Sequence, residues 1–366
     1  TFSINNLNGG DIKFKNRAEI ISKNHLLNIV LETKGSIEIA EKVKLISNGG
    51  KIHFKAFDLI TKKRNTPQNT IKINGIIDAS SCTIGGAIFI ESDVISIGAK
   101  AILNAKGYFG GGKILVGGDW QGGRTNTKDE NMYQATNVTM EKGALMDASA
   151  TKNGTGGKIV LWSNLKNTSS STKVNGTLFA KGAGKSVSGG NIETSGGSVD
   201  FSNIKISTIT SDGEAGNWLI DPYSFFFNTT QLTSLRDNLA NTNIEVSTAN
   251  SSAIGSPGTI FARGNISFED NFTYTSNNAR TLTLSVNENI WIKGNITSTS
   301  GQLSLIFNSN NGKSLYFNGD INTNGGSVTF NNTTNLHFQK TNGTQAINTN
   351  GGSLNFGSAN IRLLRY

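Results

Sequence analysis

The sequence predicts an all-β chain. We read it as a right-handed parallel β-helix, a solenoid with extra-helical loops and a short side helix, and three observations lead there. First, the stretch Ile321–Phe330, INTNGGSVTF, returns as INTNGGSLNF at 347–356, and a near-copy after 26 residues is the mark of stacked coils. Second, Gly-Gly pairs recur just before short runs that alternate apolar and polar residues. Third, glycine is abundant, at 43 of 366 residues, while proline is nearly absent, at 3; this is turn chemistry without the period of collagen.

The strands follow in chain order. Gly49-Gly50 precedes KIHFKAFDLI, Gly85-Gly86 precedes AIFIES, Gly111-Gly112 precedes KILVGG, Gly156-Gly157 precedes KIVLWS and Gly189-Gly190 precedes NIETSGG. Several are followed by a second short strand and turn, as in INGIIDAS, GAKAILNAKG, KGALMDASA and VNGTLFAKGAG. One coil therefore runs as a Gly-Gly corner and strand, a second strand, and a glycine-led third strand, about 20–26 residues in all. Strands this short bury little alone, but stacking each on its copy, about 4.8 Å away, builds one continuous core of Ile, Leu, Val and Phe. In the repeated decamer, Val328 and Phe330 fall on one face and Ser327 and Thr329 on the other. Asparagines at the corners are placed to stack in ladders.

One segment breaks the pattern. In TTQLTSLRDNLANTN (229–243), Leu232, Leu235 and Leu239 have helical spacing, with Thr229 or Thr230 as the expected N-cap. Ahead of it, GNWLIDPYSFFFN (216–228) supplies large apolar residues for a junction. The expected organisation is a first solenoid segment over 1–222, a junction with the helix over 223–250, and a second segment over 251–366. Two polar stretches do not fit a coil and read as insertions, TKKRNTPQNT (61–70) and GDWQGGRTNTKDENMYQ (118–134). Loops leaving a solenoid at one coil are where partners are bound.

The formal charge is +9, nearly all of it within residues 1–220. Lys23, Lys34, Lys42, Lys44, Lys51 and Lys55 are interleaved with Glu32, Glu38 and Glu41, a solvated face rather than the concentrated stripe of a nucleic-acid groove, so no nucleic-acid partner is expected. No apolar run is long enough for a transmembrane helix, so no membrane insertion is expected. The chain opens directly in strand-and-turn text, which suggests an excised or mature piece of a longer protein. Cys82, the single cysteine, reads as a small core-facing residue.

Catalytic chemistry finds little support. His25, His53 and His337 are far apart, and His53, alternating with Ile52 and Phe54, is expected to face solvent. The carboxylates of ESD (91–93) and KDE (128–130) alternate faces or sit in a loop. KGYFGGGK (106–113) lacks the Gly-Lys-Ser/Thr ending of a phosphate loop and reads as a corner. A further reading, a carbohydrate-active β-helix enzyme, would need clustered carboxylates or Lys/Arg on one strand face, which these residues do not supply, so no enzymatic activity, metal or cofactor is expected. The partner-binding candidates are Trp120, Gln121, Arg124, Asn126, Lys128, Asp129, Glu130 and Tyr133 in the second insertion, and Lys62, Lys63 and Arg64 in the first. Asn-x-Ser/Thr sequons recur, among them Asn228, Asn265, Asn271 and Asn295.

From about residue 70 onward the wording resembles a known family. GGKILVGGDWQGG, MYQATNVTMEKGALMDASA, NGTGGKIVLWSN, VNGTLFAKGAG, GGNIETSGG and WLIDP follow one another as do the GGD-x-QG turn, the W-S strand, the G-x-x-x-A-x-G coil, the ETSG turn and the WLxDP end of filamentous-haemagglutinin-like exoproteins, the passengers of two-partner secretion. The resemblance implies a β-helix secreted by, or displayed on, a Gram-negative bacterium through an outer-membrane transporter. The N-terminal secretion domain that such proteins use for export is not in this sequence. Two types within the family are similar to the chain. One captures host haemopexin for haem acquisition; the other is the high-molecular-weight adhesin, which binds host-cell receptors and carries glycans. The wording around GGDWQGG favours the first.

Overall fold

A computed structural model describes residues 1–57, 69–123, 132–167, 169–248, 264–309, 313–332, 335–340 and 342–363. It is a parallel β-helix in two compact units, Thr1–Trp218 and Leu219–Tyr366.

In the first unit each coil supplies one strand to each of three parallel sheets. The first sheet stacks Phe2–Asn6, Ile29–Thr33, Lys51–Ala56, Ala87–Ser92, Lys113–Val116, Lys158–Trp162 and Asn191–Gly196. The second runs from Ile12–Phe14 to Ser198–Asp200, and the third from Glu19–Ile21 to Lys205–Ser207. Their register stacks like on like: Ile29, Ile52, Ile88, Ile114, Ile159 and Ile192 pair in succession on the inner face, all fully buried. Each such side chain contributes about 1.5–3 kcal/mol of burial, but only because its neighbours exclude water above and below it. The register also measures the insertions. Ile88 meets Ile114, 26 residues on, whereas Ile52 meets Ile88 after 36 and Ile114 meets Ile159 after 45. The excess lies in the two polar stretches.

The second unit repeats the plan with a first sheet including Arg280–Val286, Leu303–Ser309, Val328–Asn331 and Leu354–Asn355, and a second running from Phe225–Phe227 to Asn360–Leu363. Its core is a phenylalanine stack: Phe307 on Phe330 at 5.2 Å between ring centroids, and Phe330 on Phe356 at 5.6 Å. The repeated decamer is explained by its turn. Thr323 and Thr349 each begin a Thr-Asn-Gly-Gly tetrad whose first carbonyl accepts from the last N–H. Asn324 and Gly325 (φ 48° and 94°), like Asn350 and Gly351 (φ 50° and 100°), hold the paired positive φ of a type I′ turn, for which Asn-Gly is the favoured pair. The threonine hydroxyl also donates to the carbonyl of the final glycine, at 2.5 Å in the first copy and 2.7 Å in the second. Ser47-Asn48-Gly49-Gly50 in the first unit closes the same way.

Asparagine ladders are present. Asn271 Oδ1 accepts from the Asn295 N–H, Asn295 Oδ1 from the Asp320 N–H, and Asp320 Oδ1 from the Ala346 N–H. Asn265 Oδ1 and Asn289 Oδ1 do the same one rung each. The sequon residues Asn265, Asn271 and Asn295 thus serve the stack.

The helix spans Thr229–Leu239 and buries Leu232, Leu235 and Leu239 as expected. Its N-cap is Asn228, not Thr229 or Thr230. A capping box decides this: counted from Asn228, the third helical residue is Gln231, whose side chain accepts from the Asn228 N–H while Asn228 accepts from the Gln231 N–H. No helix among the described residues is long and apolar enough to cross a membrane. Cys82 is exposed rather than core-facing, because SSCTIGG forms a projecting corner and not a strand. The ETSG stretch is likewise part of a strand, Asn191–Gly196, and not a turn.

Candidate functional site

Alternation along the first sheet places His53, Phe89, Leu115, Val160 and Glu193 in one outward column, in direct register. An uncovered sheet face would leave them wet. Instead Leu115, Val160 and Glu193 are fully buried, Phe89 is 3% exposed and His53 9%. This outer face is a second packed surface on the solenoid, and it is where the 118–134 insertion leaves and returns.

The departure is shaped by Trp162, which points outward and is fully buried. After Val116 the chain crosses it through Gly117 and Gly118, then turns in a 3₁₀ segment, Trp120–Gly123. A Cβ on Gly118 would lie 2.4 Å from Trp162 Cδ1, and one on Gly122 2.8 Å from Cζ2, so the GGDWQGG spacing is the footprint of this indole. Gln121 and Gly122 hold positive φ (48° and 68°). The turn is fixed from below by Glu193, whose Oε2 accepts from the Gln121 N–H at 2.8 Å while Oε1 accepts from the Ser195 hydroxyl at 2.8 Å. Asp119, also buried, accepts from the Trp120 N–H at 2.7 Å. Trp120 itself is half-buried, with the Lys158 ammonium 5.7 Å from its ring centroid.

The return is held by a second carboxylate. Glu91 Oε2 accepts from the Tyr133 N–H at 2.6 Å, and Glu91 Oε1 lies 2.5 Å from His53 Nε2. The Tyr133 hydroxyl donates to Asp93, and the Tyr133 ring stacks on Phe57 with centroids 4.7 Å apart. The two feet are tied by the Ala135 N–H to the Gly117 carbonyl at 2.9 Å. Phe57 is the last described residue before the other insertion, and Asn69, the next described residue and near that insertion's end, accepts from the Ser92 hydroxyl at 2.8 Å. The ends of both insertions therefore meet around Glu91, Ser92 and Asp93.

Of the sequence-predicted residues, Trp120, Gln121 and Tyr133 root the second insertion, and it is the backbone N–H groups of Gln121 and Tyr133 that the buried carboxylates hold. Arg124, Asn126, Lys128, Asp129 and Glu130, with Lys62, Lys63 and Arg64, lie outside the described residues. His53 does not face solvent as its alternation suggested: its outward face is covered and its ring meets Phe89 edge-on at 5.6 Å. Glu91, Asp93, Asp119 and Glu193 gather on this face, which sequence reasoning missed. Each accepts from a backbone N–H or a hydroxyl, and no group of three metal-ligating side chains occurs among the described residues. The signal that was present is the unbroken apolar runs ILV (114–116) and IVLW (159–162), which mark strands buried on both faces. No protein-family model matches the chain, and no curated protein is significantly similar to it.

Proposed function

We propose that the chain belongs to a filamentous-haemagglutinin-like exoprotein, exported by a two-partner system and secreted from or displayed on a Gram-negative cell, and that it captures a host protein. The specific partner is haemopexin, bound for haem acquisition through the two insertions. The ordered family-like motifs from GGKILVGGDWQGG to WLIDP support the first part. The observation that carries the second is the shared root of both insertions, where Tyr133 stacks on Phe57 and Glu91 holds the Tyr133 backbone. Fixed feet lower the ordering cost of a binding segment. The residues between those feet, Lys62 to Arg64 and Arg124 to Glu130, are of types suited to steering and anchoring a protein partner.

The test is mass spectrometry of serum proteins retained by the intact chain and by a variant lacking residues 124–131. Haemopexin retained by the first and lost by the second supports the proposal; its absence from the wild-type eluate overturns it. Attachment to epithelial cells with no serum partner would favour the adhesin reading instead.

A further inference from the structure

The first unit carries a groove of about 430 Å³ at the corner that follows the third sheet. It crosses four coils: Asn48 comes from one, Ser81 and Cys82 from the next, Lys106 and Tyr108 from the third and Thr151 from the fourth. With coils stacked about 4.8 Å apart, it runs roughly 14 Å along the solenoid axis. Its size suits a small-molecule or oligomer site.

The chemistry of the lining is selective. Hydroxyls and amides both donate and accept, which matches a ligand whose own groups do both. Several are already oriented. Ser81 Oγ lies 2.9 Å from Thr83 Oγ1, and Asn104 Nδ2 donates to Asp78 at 3.0 Å, leaving its Oδ1 toward the Lys106 backbone N–H at 3.2 Å. Tyr108 supplies an aromatic ring, with the Lys152 ammonium 3.9 Å from its centroid, and its carbonyl is fixed by the Lys152 and Asn153 N–H groups at 3.0 Å each. Lys106 supplies a cation that also pairs with Asp147, at 3.9 Å. None of the described lining residues is itself a carboxylate; Asp78 and Asp147 border the groove, held by Asn104 at 3.0 Å and by Lys106 at 3.9 Å.

We propose that this groove is a binding site for an acidic oligosaccharide laid along the solenoid axis. Its hydroxyls are met by Asn48, Ser81 and Thr151, the carbon face of a sugar ring by Tyr108, and a carboxylate or sulfate by Lys106. The site stands apart from the reading of the insertions and does not depend on it.

Cys82 makes the test direct, since the chain's single thiol lines the groove and is exposed. The rate of Cys82 alkylation by N-ethylmaleimide would be followed by mass spectrometry on the full chain. The probes are hexasaccharides of hyaluronan (carboxylate), of heparin (carboxylate and sulfate) and of cellulose (neutral). At ten times its Kd, a ligand that fills the groove slows the reaction about tenfold. Slowing by either acidic hexasaccharide, with none by the neutral one, and its loss in Lys106→Gln and Tyr108→Ala, is the expected result. An unliganded variant that alkylates at the wild-type rate is correctly folded at this corner; for one that does not, Thr151→Val provides the second variant. Equal protection by the cellulose hexasaccharide overturns the acidic assignment. No protection at millimolar concentration, or protection that persists in all three variants, overturns the site.

Discussion

Tyr133 stacks on Phe57 with ring centroids 4.7 Å apart and planes 13° from parallel. These residues are 76 positions apart in the chain; Tyr133 lies at the end of one polar insertion and Phe57 shortly before the other. Their contact turns two separate departures from the solenoid into one rooted site. Glu91 reinforces it by accepting from the Tyr133 N–H and pairing with His53.

Removing that contact should loosen the return of the insertion without unfolding the solenoid. Tyr133→Ala loses an aromatic pair worth about 0.5–1.5 kcal/mol and a hydrogen bond to a carboxylate worth about 1.5–3 kcal/mol. Local opening should become at least about tenfold more frequent. Hydrogen exchange would show it as faster exchange of the Ala135 and Thr136 amides, which bond to Gly117 and Asp93, while Ile88 and Ile90 keep their protection. Unchanged exchange at Ala135 would show that the root does not depend on Tyr133.

Glu193 should matter through its hydrogen bonds. Glu193→Leu leaves the Gln121 N–H, half-buried, and the fully buried Ser195 hydroxyl without this acceptor. Each orphaned group costs about 1–3 kcal/mol. Glu193→Gln keeps one acceptor and should fall between leucine and wild type. Urea midpoints of the three proteins order the effects, and a leucine variant as stable as wild type would refute the assignment.

The corner glycines divide by what an added methyl group would meet. At Gly326 a Cβ lies 2.2 Å from the Leu303 carbonyl oxygen of the coil below, and backbone cannot move aside cheaply. At Gly110 the nearest atom is 3.6 Å away, on the Ile84 side chain. Gly326→Ala should destabilise by about 1–3 kcal/mol or more, and Gly110→Ala should stay within about 0.5 kcal/mol of wild type. Chemical denaturation measures both.

His337 gives the second unit a pH dependence. Its ring stacks on Tyr316 at 4.6 Å, it lies opposite Arg362 in the register, and its buried Nδ1 has no hydrogen-bond partner. Burial first, and the Arg362 guanidinium second, hold its pKa below the usual 6.5. As pH falls through 6.5 the unfolded chain takes up a proton that the folded chain still refuses, so stability declines from there downward. Above 6.5 this group adds no pH dependence. The carboxylates of Glu269 and Asp320, lowered chiefly by hydrogen bonds from Lys293 and Lys340, act only near pH 4 and below. Melting temperature should therefore drop between pH 7 and pH 5, and His337→Phe should flatten that drop.

The fold was legible because its signals are local and repeated. Asn324-Gly325 and Asn350-Gly351 announce the same turn, and the isoleucines from Ile29 to Ile192 return at the same point of each coil. The helix was legible for the same reason, from Leu232, Leu235 and Leu239, although its cap is Asn228, ahead of Thr229 and Thr230, because asparagine is a favoured cap and gains the reciprocal bond of Gln231. The candidate site was legible only in part. Alternation assigned His53 to the outside correctly, yet says nothing about what covers the outside. Cys82 was misplaced because a corner loop and a strand can share the same small residues.

Sequence by itself determined the coil, its turns and the positions where the chain departs from them, since each depends on residues close together in the chain and on strict repetition. Tertiary structure decided which departures share a root and which outward residues are buried. Those outcomes depend on where the register stacks residues tens of positions apart, Phe57 beside Tyr133 and Glu193 beneath Gln121, and no local pattern encodes that distance.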